Sequence, residues 1–184
     1  MRTIPQQTKT LTLTEAAVLC LLAVKGETSG YQLLKHASRS VGYVWGPAKT
    51  QLYTVLPRLA EAGLARRRAV TQSDRPDKQL YRITRAGERA LDTWLQVVDP
   101  ENLDAFHLKV FYGGLMPKAT LIEHLEAYRE QLRDQLALFD VIGEHNDNRG
   151  HAYYHRLMLR YGQARARASL RWADEVLAEV RRKR

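Results

Sequence analysis

A single cysteine, Cys20, stands in a chain of 184 residues, and a lone thiol excludes an internal disulfide. It lies in an apolar stretch, where a small core residue is expected and an oxidation sensor is the lesser alternative. No apolar run reaches the roughly 18 residues that a membrane span needs. The longest apolar-rich stretch, Leu13 to Val24, is interrupted at its start by Thr14 and Glu15. No long apolar core follows the basic residue at the N-terminus, so no signal peptide is read and a soluble cytoplasmic protein is the expectation. Also missing are a Gly-rich phosphate loop, a nucleophile elbow and a zinc spacing of cysteines, so neither an enzyme nor a bound cofactor or metal is expected. His151 and His155 are four apart and near His145, a spacing that suits a metal on one helix face. Without a nearby Cys or clear carboxylate partner, a solvated linker is the better reading. Paired acids such as Glu123 and Glu126 fit a solvated helix face better than acid/base chemistry.

Acidic residues are scarce in the first half. Residues 1–100 hold 15 Lys and Arg against 8 Asp and Glu, a net of +7, whereas residues 101–184 hold 14 against 12, a net of +2. An excess concentrated in one half points to a polyanion as partner of that half.

The stretch Trp45 to Leu64 carries the most information. Leu52, Val55, Leu56 and Leu59 fall on one helical face, while Lys49, Thr50, Gln51, Tyr53 and Thr54 lie opposite, with Arg58 a turn further on. Gly46 and Pro47 suit a helix start and Gly63 a stop. A short helix with a buried back and a front of amide, hydroxyl and cationic groups can enter a major groove, where Lys and Arg donate to guanine or phosphate and Gln pairs with adenine. An ordinary amphipathic helix is the alternative, and its neighbours decide between them. Pro57 removes a backbone donor inside this helix and is expected to kink or loosen it.

Before it, Thr12 and Glu15 have capping-box spacing and open a helix apolar on most sides, ending at Lys25-Gly26, which suits central burial. Ser29 and Gln32 repeat that spacing and open a second helix from Gly30 to about Ser40. After Gly63 the period changes. Leu64 to Thr71 and Gln79 to Ile83 read as two strands around the turn-rich Gln72–Lys78, a β-hairpin with a basic tip. Thr84 then caps a fourth helix, Arg85 to about Val98. Three helices, a hairpin and a return helix make a winged helix-turn-helix over residues 11–98.

Asp99-Pro100-Glu101 reads as a boundary. Residues 101–182 form a helical region: a short helix bearing Phe106, Phe111 and Tyr112, then two long helices over about 117–142 and 151–180. The long helices carry apolar stripes that include Leu132, Leu136, Tyr154, Leu157, Tyr161 and Trp172. These stripes are too long and one-sided to cover each other alone, so antiparallel packing plus a partner subunit is expected. The fold class is therefore mainly α with a small β-hairpin, a winged helix-turn-helix followed by a long-helix dimerisation region.

Leu13-Thr14-Glu15, Gly30-Tyr31, Gln51-Leu52-Tyr53 with Leu56 and Arg58-Leu59, Gly63-Leu64, Arg75-Pro76 and Tyr81-Arg82-Ile83-Thr84-Arg85-Ala86-Gly87 follow in an order that resembles the PadR family of bacterial transcriptional regulators. The second half, with Phe106, Lys109, Phe111, Tyr154, Leu157 and Trp172, resembles the C-terminal region of its longer, virulence-regulator-like branch. The resemblance implies a homodimer, usually a repressor, that places two recognition helices and two wings on double-stranded DNA at a palindromic operator. It puts Lys49, Thr50, Gln51, Tyr53 and Thr54 at recognition-helix positions, and Arg75 and Lys78 in the wing. The segment before Leu52-Tyr53 departs from the family's frequent Ser-Pro-Gly-type start, and Pro57 replaces a commoner polar residue. Members often respond to phenolic or aromatic compounds, which suits an effector site at Trp94, Phe106, Phe111 and Tyr112, although those residues can equally seal the domain junction. The alternative function is a winged-helix protein-interaction module with no specific DNA target.

Overall fold

The computed structural model describes residues 10–39, 49–71, 78–144 and 150–183. It divides into two compact units, Met1–Val97 with Asp104–Met116, and Val98–Leu103 with Pro117–Arg184. In the first, helix α1 (Leu13–Lys25) starts at a reciprocal cap: Glu15 N donates to Thr12 Oγ1 at 3.3 Å and Thr12 N donates to Glu15 Oε2 at 2.9 Å. From Ala16 to Leu22 every residue is fully buried, as a helix apolar on most sides demands. Cys20 is among them. Burial pushes its thiol up to about 12, so it stays protonated and acts as a core residue.

A two-residue strand, β1 (Thr28–Ser29), leads into α2 (Gly30–Arg39), where Gln32 N donates to Ser29 Oγ at 3.4 Å. Helix α3 (Lys49–Glu61) buries Leu52, Val55, Leu56 and Leu59 against α1 and α2. Pro57, expected to kink or loosen this helix, lies inside it, and the helix runs four residues past it. The carbonyl that lacks the Pro57 donor is that of Tyr53, on the exposed side of the helix where water can serve it. Gly46 and Pro47 lie outside the described residues.

Gly63, at φ +71°, turns the chain out of α3 into β2 (Ala65–Val70), which pairs antiparallel with β3 (Lys78–Ile83) from Ala65↔Ile83 to Val70↔Lys78. The sheet has a third member that the sequence pattern does not announce. β1 pairs with β3 through Thr28↔Tyr81 and Ser29↔Leu80, giving the order β1-β3-β2. Helix α4 (Arg85–Gln96) is capped by Thr84, whose Oγ1 accepts from Gly87 N at 3.1 Å and donates to the Gly63 carbonyl at 2.7 Å. Most of α5 (Leu103–Phe111) counts with this first unit, burying Ala105, Phe106 and Leu108.

The second unit is built on α6 (Lys118–Glu144) and α7 (His151–Arg182), roughly 40 and 48 Å long at about 1.5 Å per residue. They run antiparallel: Arg129 pairs with Asp174 at 3.7 Å and Gln163 donates to Asp140 at 3.1 Å. Leu125, Tyr128, Leu132, Ala166, Ala173 and Leu177 are buried. Towards the end of α6 and the start of α7, Leu138, Val141, Ile142, Tyr154, Leu157, Met158 and Tyr161 are exposed. Among the described residues, no helix is long and apolar enough to cross a membrane.

Candidate nucleic-acid interface

The exposed face of α3 carries Gln51, Tyr53, Thr54 and Arg58, because the three- and four-residue spacing of its leucines turns them to the opposite side. Lys49 and Thr50 occupy the first two positions of the helix; their side chains lie outside the described set. Arg58 is partly committed within the fold. It donates to Glu15 Oε1 at 3.2 Å, tying the recognition-helix candidate to the start of α1. Glu15 is 5% exposed, so this carboxylate serves both a helix cap and a guanidinium 43 residues away.

The second strand of the wing begins at Lys78, opposite Val70, while Arg75 lies outside the described residues. Arg66, Arg67 and Arg68 are all exposed along β2. Arg68 donates to Glu27 Oε2 at 2.7 Å, and that hydrogen bond, with the nearby charges of Arg68, Arg66 and Arg82, holds the Glu27 carboxyl below its ordinary value. One carboxylate among three guanidiniums leaves the sheet cationic, which suits a polyanion.

Between the start of α2, the exposed side of α3 and the first half of β3 lies a cleft of about 580 Å³. Tyr31, Tyr53, Leu56, Lys78 and Tyr81 line it, together with Gly30 at the start of α2. Two of these, Tyr53 and Lys78, are read from the sequence as DNA-facing. Tyr31 reads from the sequence either as a phosphate contact or as packing between helices, and Tyr81 only as part of the second strand; their place in the cleft depends on tertiary packing.

The four aromatic effector candidates all fall in the first unit, on α4 and at α5 and its end. Phe106 and Tyr112 are buried, and Phe111 meets Tyr112 edge-on with ring centroids 5.0 Å apart. Trp94 faces Lys109, whose Nζ lies 4.6 Å from the ring centroid and donates to the Val97 carbonyl. The Tyr112 hydroxyl is buried without a hydrogen-bond partner, and burial raises its pKa. His151 and His155 sit ring to ring at 5.0 Å on α7, and His145 lies outside the described residues. Among the described residues no three His, Cys, Asp or Glu gather as a metal site.

Comparison with known proteins adds family evidence. Residues 18–93 match the Transcriptional regulator PadR-like family, and residues 104–181 match the Virulence activator alpha C-term family. The chain is 26% identical to the negative transcriptional regulator PadR of Bacillus subtilis, over 89% of this chain and 95% of that protein. It is 27% identical to a probable transcriptional regulator of Mycobacterium tuberculosis, over 85% of this chain and 92% of that one. Among solved structures, Bacillus subtilis PadR in complex with operator DNA is 23% identical, covers 92% of this chain and 99% of its own, and gives a TM-score of 0.45.

Proposed function

This chain is a PadR-like transcriptional regulator with a virulence-activator-type C-terminal region, and on that premise we propose that it is a homodimeric repressor of an inverted-repeat operator. It acts in the cytoplasm, without catalysis, reading bases with α3 and holding the DNA backbone with the wing. The observation that carries this reading is the two-sidedness of α3: a leucine-lined back sealed into the core, and Gln51, Tyr53 and Thr54 exposed on the front, with Tyr53 sharing a cleft with Lys78. In this reading Lys49, Thr50, Gln51, Tyr53 and Thr54 face the major groove. Arg75 and Lys78 reach the phosphates, and Arg58 contributes whatever of its guanidinium Glu15 leaves available.

The test is a map of genomic sites bound by the protein, followed by titration on the recovered sequence. Inverted repeats with half-sites about 10 base pairs apart are expected, matching the two-fold symmetry of a dimer. Gln51→Ala should relax preference at one base position by about 1–3 kcal/mol with little change in salt dependence. Lys49→Ala, if it contacts phosphate, should reduce the slope of log K against log salt by about 1.8 for the two copies in a dimer. Equal affinity and selectivity in both variants would remove α3 from the interface. Failure to hold any palindromic DNA at physiological salt would favour a protein-interaction module.

A second reading concerns the aromatic group at Trp94, Phe106, Phe111 and Tyr112. The unpartnered Tyr112 hydroxyl favours it, since a buried donor without a partner is costly and a ligand oxygen would satisfy it. A small phenolic or planar compound there would act as effector by binding one conformation better than the other. A panel of such compounds should quench tryptophan fluorescence and release the operator in wild type, with both responses reduced in Trp94→Leu. Release that survives unchanged in Trp94→Leu places the switch elsewhere.

A further inference from the structure

Because the sheet runs β1-β3-β2, β2 is an edge strand whose outer side no other strand covers among the described residues. In such a strand alternate N–H and C=O groups point outward, ready to pair with another extended chain. Proteins commonly blunt an edge of this kind with proline, a bulge or charge. β2 has no proline, and its register advances one residue at a time from Ala65↔Ile83 to Val70↔Lys78, without a bulge. Charge alone guards it, through the exposed Arg66, Arg67 and Arg68. That guard repels a second copy of the same edge, arginine against arginine, but it attracts a strand of opposite sign. The register also sets Arg66 directly opposite Arg82, with Arg68 two residues along on the same face. Like charges so placed oppose the pairing of the strands that carry them. One carboxylate answers these three guanidiniums: Arg68 grips Glu27 as a fork, Nε to Oε1 at 3.4 Å and Nη2 to Oε2 at 2.7 Å. Among the described residues, neither Arg66 nor Arg82 forms a salt bridge.

We infer that the open edge of β2 takes an extended acidic segment of another protein, added as a fourth strand with carboxylates at alternate positions. Side chains two apart on a strand repeat at roughly 6.6 Å, from about 3.3 Å per residue, and Arg66 and Arg68 share that repeat. Alternate carboxylates of the incoming strand therefore fall beside them on the outer face, where the pair of Arg66 and Arg82 lacks a counter-charge. The fork between Arg68 and Glu27 is the same contact made within the chain. Main-chain hydrogen bonds supply the affinity of such an addition, and side-chain charge selects the partner. Duplex DNA is the rival for any cationic surface. Phosphate oxygens accept hydrogen bonds but donate none, so DNA cannot continue a ladder in which donors and acceptors alternate. The inference is independent of the function proposed above, because strand addition asks nothing of α3.

The probe is an acetylated and amidated Glu-Thr-Glu-Thr-Glu peptide, titrated into the isotopically labelled full-length protein without DNA. Saturable amide shifts are expected from Ala65 to Val70, with hydrogen exchange slowed at alternate amides of that strand. The same peptide N-methylated along its backbone keeps its charge but cannot donate to a ladder, and it should bind about tenfold more weakly. A Gln-Thr-Gln-Thr-Gln peptide should lose a similar factor. Arg66→Gln combined with Arg82→Gln should weaken the acidic peptide about three- to tenfold while the circular dichroism spectrum stays that of the wild type. Equal affinity for the N-methylated peptide would reduce the contact to charge screening and overturn the inference, and that comparison needs no variant. Shifts centred on Gln51 and Tyr53, unchanged affinity in the double variant, or no saturation at millimolar peptide would overturn it too. So would exchange in β2 that duplex DNA slows and the peptide does not.

Discussion

Gly87→Ala is expected to lower the melting temperature by about 4–8 °C, although Ala is the better helix former by about 1 kcal/mol. Gly87 stands in the first turn of α4, directly against the chain that leaves α3. A Cβ there would collide with the Leu64 carbonyl oxygen and stand 2.9 Å from Ile83 Cγ1. The carbonyl cannot easily withdraw, because it accepts from Thr84 N at 3.1 Å, and Thr84 also caps α4 and bonds Gly63. Overpacking against backbone costs about 3 kcal/mol, at or above the upper end of side-chain cases. Less the helix gain, about 2 kcal/mol remains, and at about 2–4 °C per kcal/mol for a protein of this size the stated shift follows. Since β2 begins at Ala65, the residue after Leu64, the wing should be displaced as well and operator affinity should fall. Gly114→Ala is the control, because a Cβ there meets nothing within 4 Å. A melt of Gly87→Ala that overlays the wild type would show that the Leu64 backbone yields freely.

Leu157→Glu combined with Tyr161→Glu should convert the protein to monomers and weaken operator binding by about 10²–10⁴-fold, the usual gain from linking two sites. Tyr154, Leu157, Met158 and Tyr161 recur at three- and four-residue intervals, so they form one stripe on α7, and all are exposed. Leu138, Val141 and Ile142 are exposed near the end of α6. Contiguous apolar surface of this kind marks an interaction site, and a second copy burying it against its own equivalent is the economical occupant. Glutamates buried in that interface would face a large desolvation cost. Sedimentation should show the mass halved while helix content persists, since these side chains do not form the seam between α6 and α7. A double variant that stays a tight dimer would place the interface on another surface.

Much of the first unit is legible locally. Thr12 with Glu15 and Ser29 with Gln32 form the caps their spacing implies, and the leucines of α3 are buried as their period requires. Local patterns also suffice for the two long strands, where the turn residues between them interrupt the helical period. What escapes is non-local. β1 has two residues, too few for an alternating pattern to register, and becomes a strand only because β3 lies beside it. The pairing of Glu15 with Arg58 joins residues 43 apart, so neither position advertises it. Tyr31 reads as a phosphate contact or as packing between helices, and its exposed place at the cleft beside Tyr53 depends on how α3 and β3 pack. The packing of α5 with the first unit is likewise invisible in its own nine residues, and the family match that includes it begins at Asp104.

The pairing of Thr28 with Tyr81 sets a timetable for the newborn chain. Fifty-three residues separate the two, so β1 emerges from the ribosome well before the strand that completes it. At roughly 5–20 residues per second, the wait is about 3–10 s. During that time α1 has no sheet to rest on, and its uniformly apolar surface depends on α2 and α3 for cover. A chain stalled before Lys78 therefore presents a nascent hydrophobic core of the kind that recruits chaperones, and its exposure ends only when β3 and then α4, both of which pack on α1, have been made.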